Sequence, residues 1–98
     1  MPPPATVVRR LIVEGFVQGV GYRAFVRRAA FSLGVSGWVR NRADGTVEAL
    51  LSGAPDAIDA MLLALRRGPS GAQVRSVRTI APGDAVWSEG SFEVRPTA

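Results

Sequence analysis

Apolar residues follow helical spacing in two stretches of the chain and form short strand-like runs elsewhere. Residues 7–13 are a β-branched and apolar run, which predicts a first strand. A glycine-rich loop at 15–21 follows. Beyond it, one helix face is predicted from apolar residues at Tyr22, Phe25, Val26, Ala29 and Leu33. Gly34 then stands where a helix commonly ends with a left-handed glycine.

The rest of the chain returns to strands around a second helix. Residues 35–42 and 46–51 predict two short strands around Ala43-Asp44-Gly45, which is a hairpin signal. The second helix begins near Pro55 and ends at Gly68-Pro69, since proline is tolerated in a first helical turn. Its apolar face consists of Ile58, Met61, Leu62 and Leu65. Runs at 73–80 and 91–95 predict two further strands.

The predicted order is β-α-β-β-α-β with an extra short C-terminal strand. Each helix has one apolar stripe, so both helices can cover the same face of an antiparallel sheet. This is the ferredoxin-like sandwich of an α+β protein. A chain of 98 residues holds one such domain, which we place at 7–98 after a flexible Pro-rich tail at 1–6.

Composition narrows the chemistry that is open to this domain. The chain has no His, no Cys and no Lys, so its 12 basic residues are all Arg. Triads of the Ser-His-Asp kind, zinc-cysteine sites and a P-loop lysine are therefore excluded. The net charge of +4 comes from scattered arginines and is weak evidence for an anionic partner. No stretch is apolar enough to span a bilayer and no signal peptide is visible, so we expect a cytoplasmic protein.

The candidate chemistry is concentrated between the first strand and the first helix. Gly15, Gly19 and Gly21 lead into a helix N-terminus, where backbone N–H groups lack partners and the helix dipole is positive. Arg23 lies in the first helical turn, where a cation is unfavourable unless an anion binds nearby. The glycine spacing matches neither the Walker nor the dinucleotide fingerprint. On spacing alone, a plain tight turn remains the alternative to an anion site.

Several motifs together resemble the acylphosphatase family. They are residues 15–23 (GFVQGVGYR), Ala29, Leu33-Gly34, 37–41 (GWVRN), 44–48 (DGTVE), Gly53 and 92–95 (FEVR), and the resemblance runs from about residue 7 to 96. The sequence departs from the family pattern at Tyr22, where Phe is commoner, at Ser91 and in the Pro-rich tail. None of these departures breaks a motif, since the motif allows Phe or Tyr at residue 22.

The resemblance implies a metal-independent enzyme that hydrolyses acyl phosphates to a carboxylate and inorganic phosphate, without a cofactor. It implies that Arg23 binds the phosphate and that Asn41 positions the attacking water. Further phosphate contacts would come from the backbone amides of Phe16, Val17, Gln18, Gly19 and Val20. We also expect inorganic phosphate to inhibit as the product, and the protein to be a monomer that binds neither membrane nor nucleic acid.

Other polar and aromatic residues receive structural interpretations. Asn41, the only Asn in the chain, would without the resemblance be a turn residue that supports Asp44-Gly45. We expect Trp38 to be a packing residue, with a platform beside the site as the alternative, and Gln18 to brace the loop. The carboxylates Asp44, Glu48, Asp56 and Asp59 are expected to be turn, surface and helix-capping groups.

Two other functions share this topology. An RNA-recognition module is one, because Tyr22-Arg23-Ala24-Phe25-Val26 superficially resembles an RNP1 string. That string is predicted on a helix, however, whereas RNP1 aromatics must stack bases from a strand. The second is a non-catalytic domain that senses phosphate or carbamoyl phosphate, like those at the N-terminus of hydrogenase-maturation carbamoyltransferases. The chain ends at Ala98 without zinc-finger cysteines, which favours the enzyme.

Overall fold

The computed structural model describes residues 5–98 as two helices and a five-stranded sheet. In chain order the elements are β1 (Val7–Phe16), α1 (Tyr22–Leu33), β2 (Ser36–Asn41), β3 (Val47–Gly53), α2 (Pro55–Arg67), β4 (Gln73–Ile80) and β5 (Phe92–Val94). All predicted elements are present. The tail predicted for 1–6 falls mainly on residues 1–4, which lie outside the described residues, so the domain boundary at residue 7 stays a prediction.

The strands form one sheet in the order β4-β1-β3-β2-β5. The pairs β1–β3, β1–β4 and β2–β3 are antiparallel, and β5 pairs parallel with β2. The path of the chain between β4 and β5 explains why β5 pairs parallel with β2. Because β4 ends beside the start of β1, the chain crosses the sheet at that end and enters β5 alongside the start of β2. The ferredoxin-like α+β fold is confirmed, with the added strand making the sheet mixed.

Strand β1 is longer than the sequence predicts, because Gly15 does not end it. The pairing with β4 shifts between Glu14 and Gly15, which marks a β-bulge, and continues to Phe16. A Cβ atom at Gly15 would lie 2.1 Å from the carbonyl oxygen of Gln73, so only glycine fits here. The glycine that indicated a loop is instead the point where β1 bends toward α1.

The hydrophobic core lies between the sheet and both helices. Leu11, Val13, Val39, Val47, Ala49 and Leu51 of the sheet are fully buried against the helices. The buried face of α1 consists of Tyr22, Val26 and Ala30, whereas Leu33 is 37% exposed. The prediction of Leu33 in this stripe was wrong: its helical angle falls between those of Tyr22 and Val26, but it is the last residue of α1 and its side chain stays exposed there.

Both helices end as their sequences predict. Gly34 has φ 69°, and the next N–H, that of Val35, donates to Ala30 O at 2.9 Å. This left-handed glycine ends α1 and directs the chain into β2. Helix α2 has Pro55 at its first position, Asp56 in its first turn and two arginines in its last. These charges agree with the helix dipole.

The opposite face of the sheet is also covered, which corrects one prediction. Glu48, expected at the surface, is 1% exposed, because residues 81–91 cross over this face. It accepts hydrogen bonds from Arg10 Nε at 2.6 Å and from Arg40 Nε at 2.8 Å. Burial alone would raise the pKa of Glu48, but the hydrogen bonds from both arginines outweigh it and lower that pKa. Glu48 is therefore an internal ion-pair residue that stabilises the fold.

Trp38 packs on this same face, away from Asn41. It is 2% exposed, and its indole N–H donates to Val86 O at 3.1 Å. The guanidinium groups of Arg40 and Arg95 lie 4.7 Å and 5.0 Å from its ring centre. Residues 38 and 41 of one strand point to opposite faces. Trp38 is thus a packing residue, and the platform alternative was wrong.

Candidate active site

The loop between β1 and α1 presents backbone donors without internal partners. Among the described residues, no turn or loop hydrogen bond begins at the backbone N–H groups of 17–21. Gly19 and Gly21 have φ values of 75° and 76°, a conformation that glycine adopts readily and that turns successive N–H groups toward one side. The first N–H groups of α1 lack helical partners as well. This loop has the donor arrangement of an anion site.

Arg23 is the second residue of α1 and is partly exposed. None of the ion pairs among residues 5–98 includes it, although Arg10, Arg40, Arg75, Arg78 and Arg95 all have carboxylate partners. The first turn of α1 also contains no acidic residue. The guanidinium is therefore left available to an anion that binds at the helix N-terminus.

Asn41 is the last residue of β2 and lies on the helix side of the sheet. It pairs with Val47 of β3, whose side chain belongs to the core. Its side-chain oxygen Oδ1 is buried and has no hydrogen-bond partner among the described residues. A buried polar atom without a partner is uncommon and often marks a functional site.

Arg23 and Asn41 line the same cleft, which has a volume of about 1170 Å³. Val17, Gly19 and Gly21 of the loop line it too. The described residues around it include Arg23, Arg27 and Arg28 but no carboxylate. Arg23 and the N–H donors of the loop thus lie together at the N-terminus of α1, where they can bind a small anion such as a phosphoryl group.

A family comparison identifies the class of protein that carries this site. The acylphosphatase family model matches residues 9–94. The chain belongs to the acylphosphatase family. An acylphosphatase of Rhizobium etli is 57% identical over 70 residues, which are 71% of this chain and 74% of that protein. An acylphosphatase of an Acidovorax species is 48% identical over 93 residues, covering 95% of this chain and 94% of the relative.

Solved structures agree with the family assignment. The crystal structure of acylphosphatase from Bacillus subtilis matches with a TM-score of 0.82 at 32% identity, covering 93% of this chain and 99% of that chain. The resemblance seen in the sequence motifs is therefore confirmed, and the chain is a hydrolase of the acylphosphatase type.

Gln18 connects the acylphosphatase loop to the hairpin that follows Asn41. Its Nε2 donates to Arg42 O at 2.9 Å and to Thr46 O at 2.8 Å. Arg42 and Thr46 also pair with each other through a backbone bond of 2.9 Å. Gln18 thus braces the loop as predicted, and it does so against the end of the strand that carries Asn41.

Asp44 is a turn residue, as the sequence indicates. It is exposed and accepts hydrogen bonds from the backbone N–H and the hydroxyl of Thr46, at 3.0 Å and 2.6 Å. The hydrogen bond from the Thr46 hydroxyl is the main reason that the pKa of Asp44 is lowered. Asp44 therefore shapes the hairpin between β2 and β3.

Not every predicted loop residue lines the cleft. Phe16 is the last residue of β1 and is 62% exposed. Phe16, Gln18 and Val20 are absent from the described lining, although their backbone amides flank residues that belong to it. Sequence reasoning missed the lining residues Arg27 and Phe31. Their spacing of four and eight residues after Arg23 was the available signal, because such residues share one helix face.

The RNP1-like string does not form a stacking surface for RNA in the structure. Tyr22, the first residue of the RNP1-like string, lies on α1, is 1% exposed and donates its hydroxyl to Leu65 O at 2.8 Å. Burial raises the pKa of this phenol. The string therefore joins the two helices and presents no stacking surface.

Two further features of residues 5–98 bear on ligands and membranes. They contain no group of three or more metal-binding side chains of the His, Cys, Asp or Glu type. None of their helices has the length and apolar character needed to cross a membrane.

Proposed function

We propose that this acylphosphatase-family protein hydrolyses the carboxyl–phosphate bond of acyl phosphates, with Arg23 and the loop amides holding the phosphoryl group and Asn41 orienting the attacking water. One observation supports this most strongly. One cleft is lined by Arg23, which has no ion-pair partner among residues 5–98, by loop residues 17, 19 and 21, whose N–H groups have no hydrogen-bond partner there, and by Asn41, whose buried Oδ1 has none either. The amides proposed as donors are those of Phe16, Val17, Gln18, Gly19 and Val20.

The proposed reaction needs positioning more than acid–base strength. The water oxygen forms a bond to phosphorus while the bond from phosphorus to the acyl oxygen breaks, and its electron pair leaves on the carboxylate. A carboxylate is a good leaving group, so no strong general acid is required. The water proton passes to a phosphoryl oxygen of the substrate. Charge on the phosphoryl oxygens is stabilised by Arg23 and the loop amides, as in other phosphoryl transfers.

Several accompanying properties belong to this proposal. The enzyme uses no cofactor and no metal ion, because the guanidinium and the amides supply the positive charge that a metal would otherwise provide. Inorganic phosphate is both product and inhibitor. The cytoplasmic location, the monomeric state and the absence of nucleic-acid binding stay predictions from the sequence.

The direct test is release of phosphate from a small aromatic acyl phosphate such as benzoyl phosphate. We expect steady turnover that is unchanged by a chelator and not increased by added Mg²⁺, because no step depends on a metal. Benzoyl hydroxamate formation in the presence of hydroxylamine reports remaining substrate and serves as an independent measure. Activity that disappears with the chelator and returns with Mg²⁺ contradicts the proposal.

Product inhibition gives a second prediction for the same site. Inorganic phosphate should compete with substrate, since both occupy the loop and Arg23. At a concentration of about 10 Kd it should also stabilise the fold by about 1.4 kcal/mol, which raises Tm by several degrees in a domain of this size. Phosphate salts stabilise many proteins without binding, so Arg23→Ala is the control and should lose most of the shift. Noncompetitive inhibition without a Tm shift is the contrary result.

A further inference from the structure

The cleft is much larger than a phosphoryl group requires. Its volume of about 1170 Å³ lies just above the range for sites that enclose whole small molecules, roughly 300–1,000 Å³. Beyond Arg23 and Asn41 it continues along α1 to Gly34 and along β5 to Gly90. In the proposed reaction the acyl group is the only other part of the substrate, so it is the natural occupant of this extension.

One wall of the extension is a single face of α1. Arg23, Arg27 and Phe31 all line the cleft and are four residues apart. At a rise of 1.5 Å per residue, Arg27 lies about 6 Å and Phe31 about 12 Å along the helix from Arg23. Phe31 is 88% exposed, although it is a large apolar residue on a regular helix. Its ring therefore has little to pack against unless a ligand lies in the cleft.

The other wall is β5, which runs parallel to β2. Val94 is level with Val39, two residues before Asn41, and Phe92 is level with Gly37. At about 3.3 Å per residue, Gly37 lies about 13 Å from Asn41. Phe92 and Phe31 are thus at similar depths on the two walls. Val94, which is 43% exposed, lies nearer the phosphate end.

From this alignment we infer that the protein binds an extended, apolar acyl chain between α1 and β5, with Phe31 as a specificity-determining residue. The inference rests on the proposed function and names its substrate class. Phe31 and Val94 are exposed apolar side chains on the two walls, and burying them under a hydrocarbon chain is favourable. An extended chain advances roughly 1.2 Å per bond, so an acyl group of about eight carbons reaches from the phosphoryl end toward Phe31.

The arginines on this face of α1 raise one alternative substrate class, acyl phosphates whose acyl group carries a carboxylate. Arg27 and Arg28 also line the cleft, and a carboxylate on the acyl group could bind one of them. Both are largely exposed, however, and the aliphatic stem of an arginine can itself cover an apolar chain. Phe31 and Val94 can contact only an apolar group, whereas the arginines can bind either a carboxylate or an apolar chain. We therefore favour the apolar class and include the anionic one in the test.

The test compares acetyl phosphate with octanoyl phosphate, used below its micelle-forming concentration, at equal ionic strength. We expect kcat/KM to be about tenfold or more higher for octanoyl phosphate, mainly through KM, because the chain contacts act equally before and during the reaction. In Phe31→Ala the octanoyl-to-acetyl ratio should fall about five- to tenfold. Leu63→Ala is the matched control: Leu63 is 67% exposed on α2, outside the described cleft lining, and its loss should leave the ratio unchanged.

The outcomes separate this inference from the proposed function. Hydrolysis of acetyl phosphate without any preference for the longer chain overturns the inference and leaves the proposed function intact. Failure to hydrolyse either compound contradicts the proposed function itself. A third substrate, an acyl phosphate with a terminal carboxylate, completes the comparison. If it exceeds octanoyl phosphate and loses that advantage in Arg27→Gln, the anionic class is correct and the apolar one is wrong.

Discussion

Replacing Arg23 by lysine is expected to lower kcat by about 1,000-fold, since an arginine that stabilises the transition state of phosphoryl transfer is worth about 10³–10⁵ in rate. Lysine retains the positive charge but loses the planar pair of donors that binds two phosphoryl oxygens at once. The loop amides remain in place and bind the other oxygens. Phosphate affinity should therefore weaken less than turnover, because charge accumulates on the phosphoryl oxygens as the reaction proceeds.

The measurements for Arg23→Lys are kcat, KM, the Kd of phosphate and Tm. Arg23 has no ion-pair partner among the described residues, so Tm without phosphate should stay near that of the parent. The matched control is Arg66→Lys, at an exposed position in the last turn of α2 and outside the described cleft lining. A folded Arg23→Lys protein with kcat/KM near the parent value places the anion site elsewhere.

Features that depend on local sequence were predicted well. The C-terminus of α1 at Gly34 and the start of α2 at Pro55 follow from the conformations that glycine and proline prefer. The loop and Arg23 were predicted to bind an anion because glycines and a cation at a helix N-terminus are typical of such sites, and the structure places Arg23 and loop residues in one cleft. The motifs around Asn41 then added a residue that spacing alone would have assigned to a turn.

Features that depend on distant segments were not predicted. Glu48 is buried because residues 81–91 cross over its face of the sheet. Neither the residues next to Glu48 in the chain nor the alternation of apolar and polar positions in β3 indicates that this face is covered. Gly15 is typical of a loop in the sequence, but in the structure a glycine is required there because the carbonyl oxygen of Gln73 in the paired strand lies so close. Phe31 lines a cleft because β5, which pairs parallel with β2, lies opposite α1 and forms the other wall. Such contacts join residues far apart in the chain.

For Asn41→Ala we expect a decrease in kcat of about 100- to 1,000-fold, the usual effect of removing one positioned hydrogen-bonding group. An amide has no useful basicity, so Asn41 can act only by orienting the nucleophile, and water is the nucleophile in a hydrolysis. Phosphate occupies the site without that water. Its Kd should therefore stay within a few-fold of the parent value. Asn41→Asp should be no more active, because a carboxylate beside the phosphoryl group repels it.

The effect of Asn41→Ala on Tm distinguishes a residue that orients water from one that supports the hairpin. Oδ1 of Asn41 is buried without a partner, so its removal relieves an unfavourable burial and should cost little stability. If Asn41 instead supported the hairpin, Tm would fall and kcat of the folded fraction would hardly change. The control for that behaviour is Asp44→Ala, which removes both hydrogen bonds from Thr46 in the same hairpin. Asp44→Ala should lower Tm while kcat stays close to the parent value, and Asn41→Ala should show the reverse pattern. Measuring kcat, phosphate affinity and Tm on the same samples decides between the two roles, and matching behaviour of both variants would assign Asn41 to the hairpin.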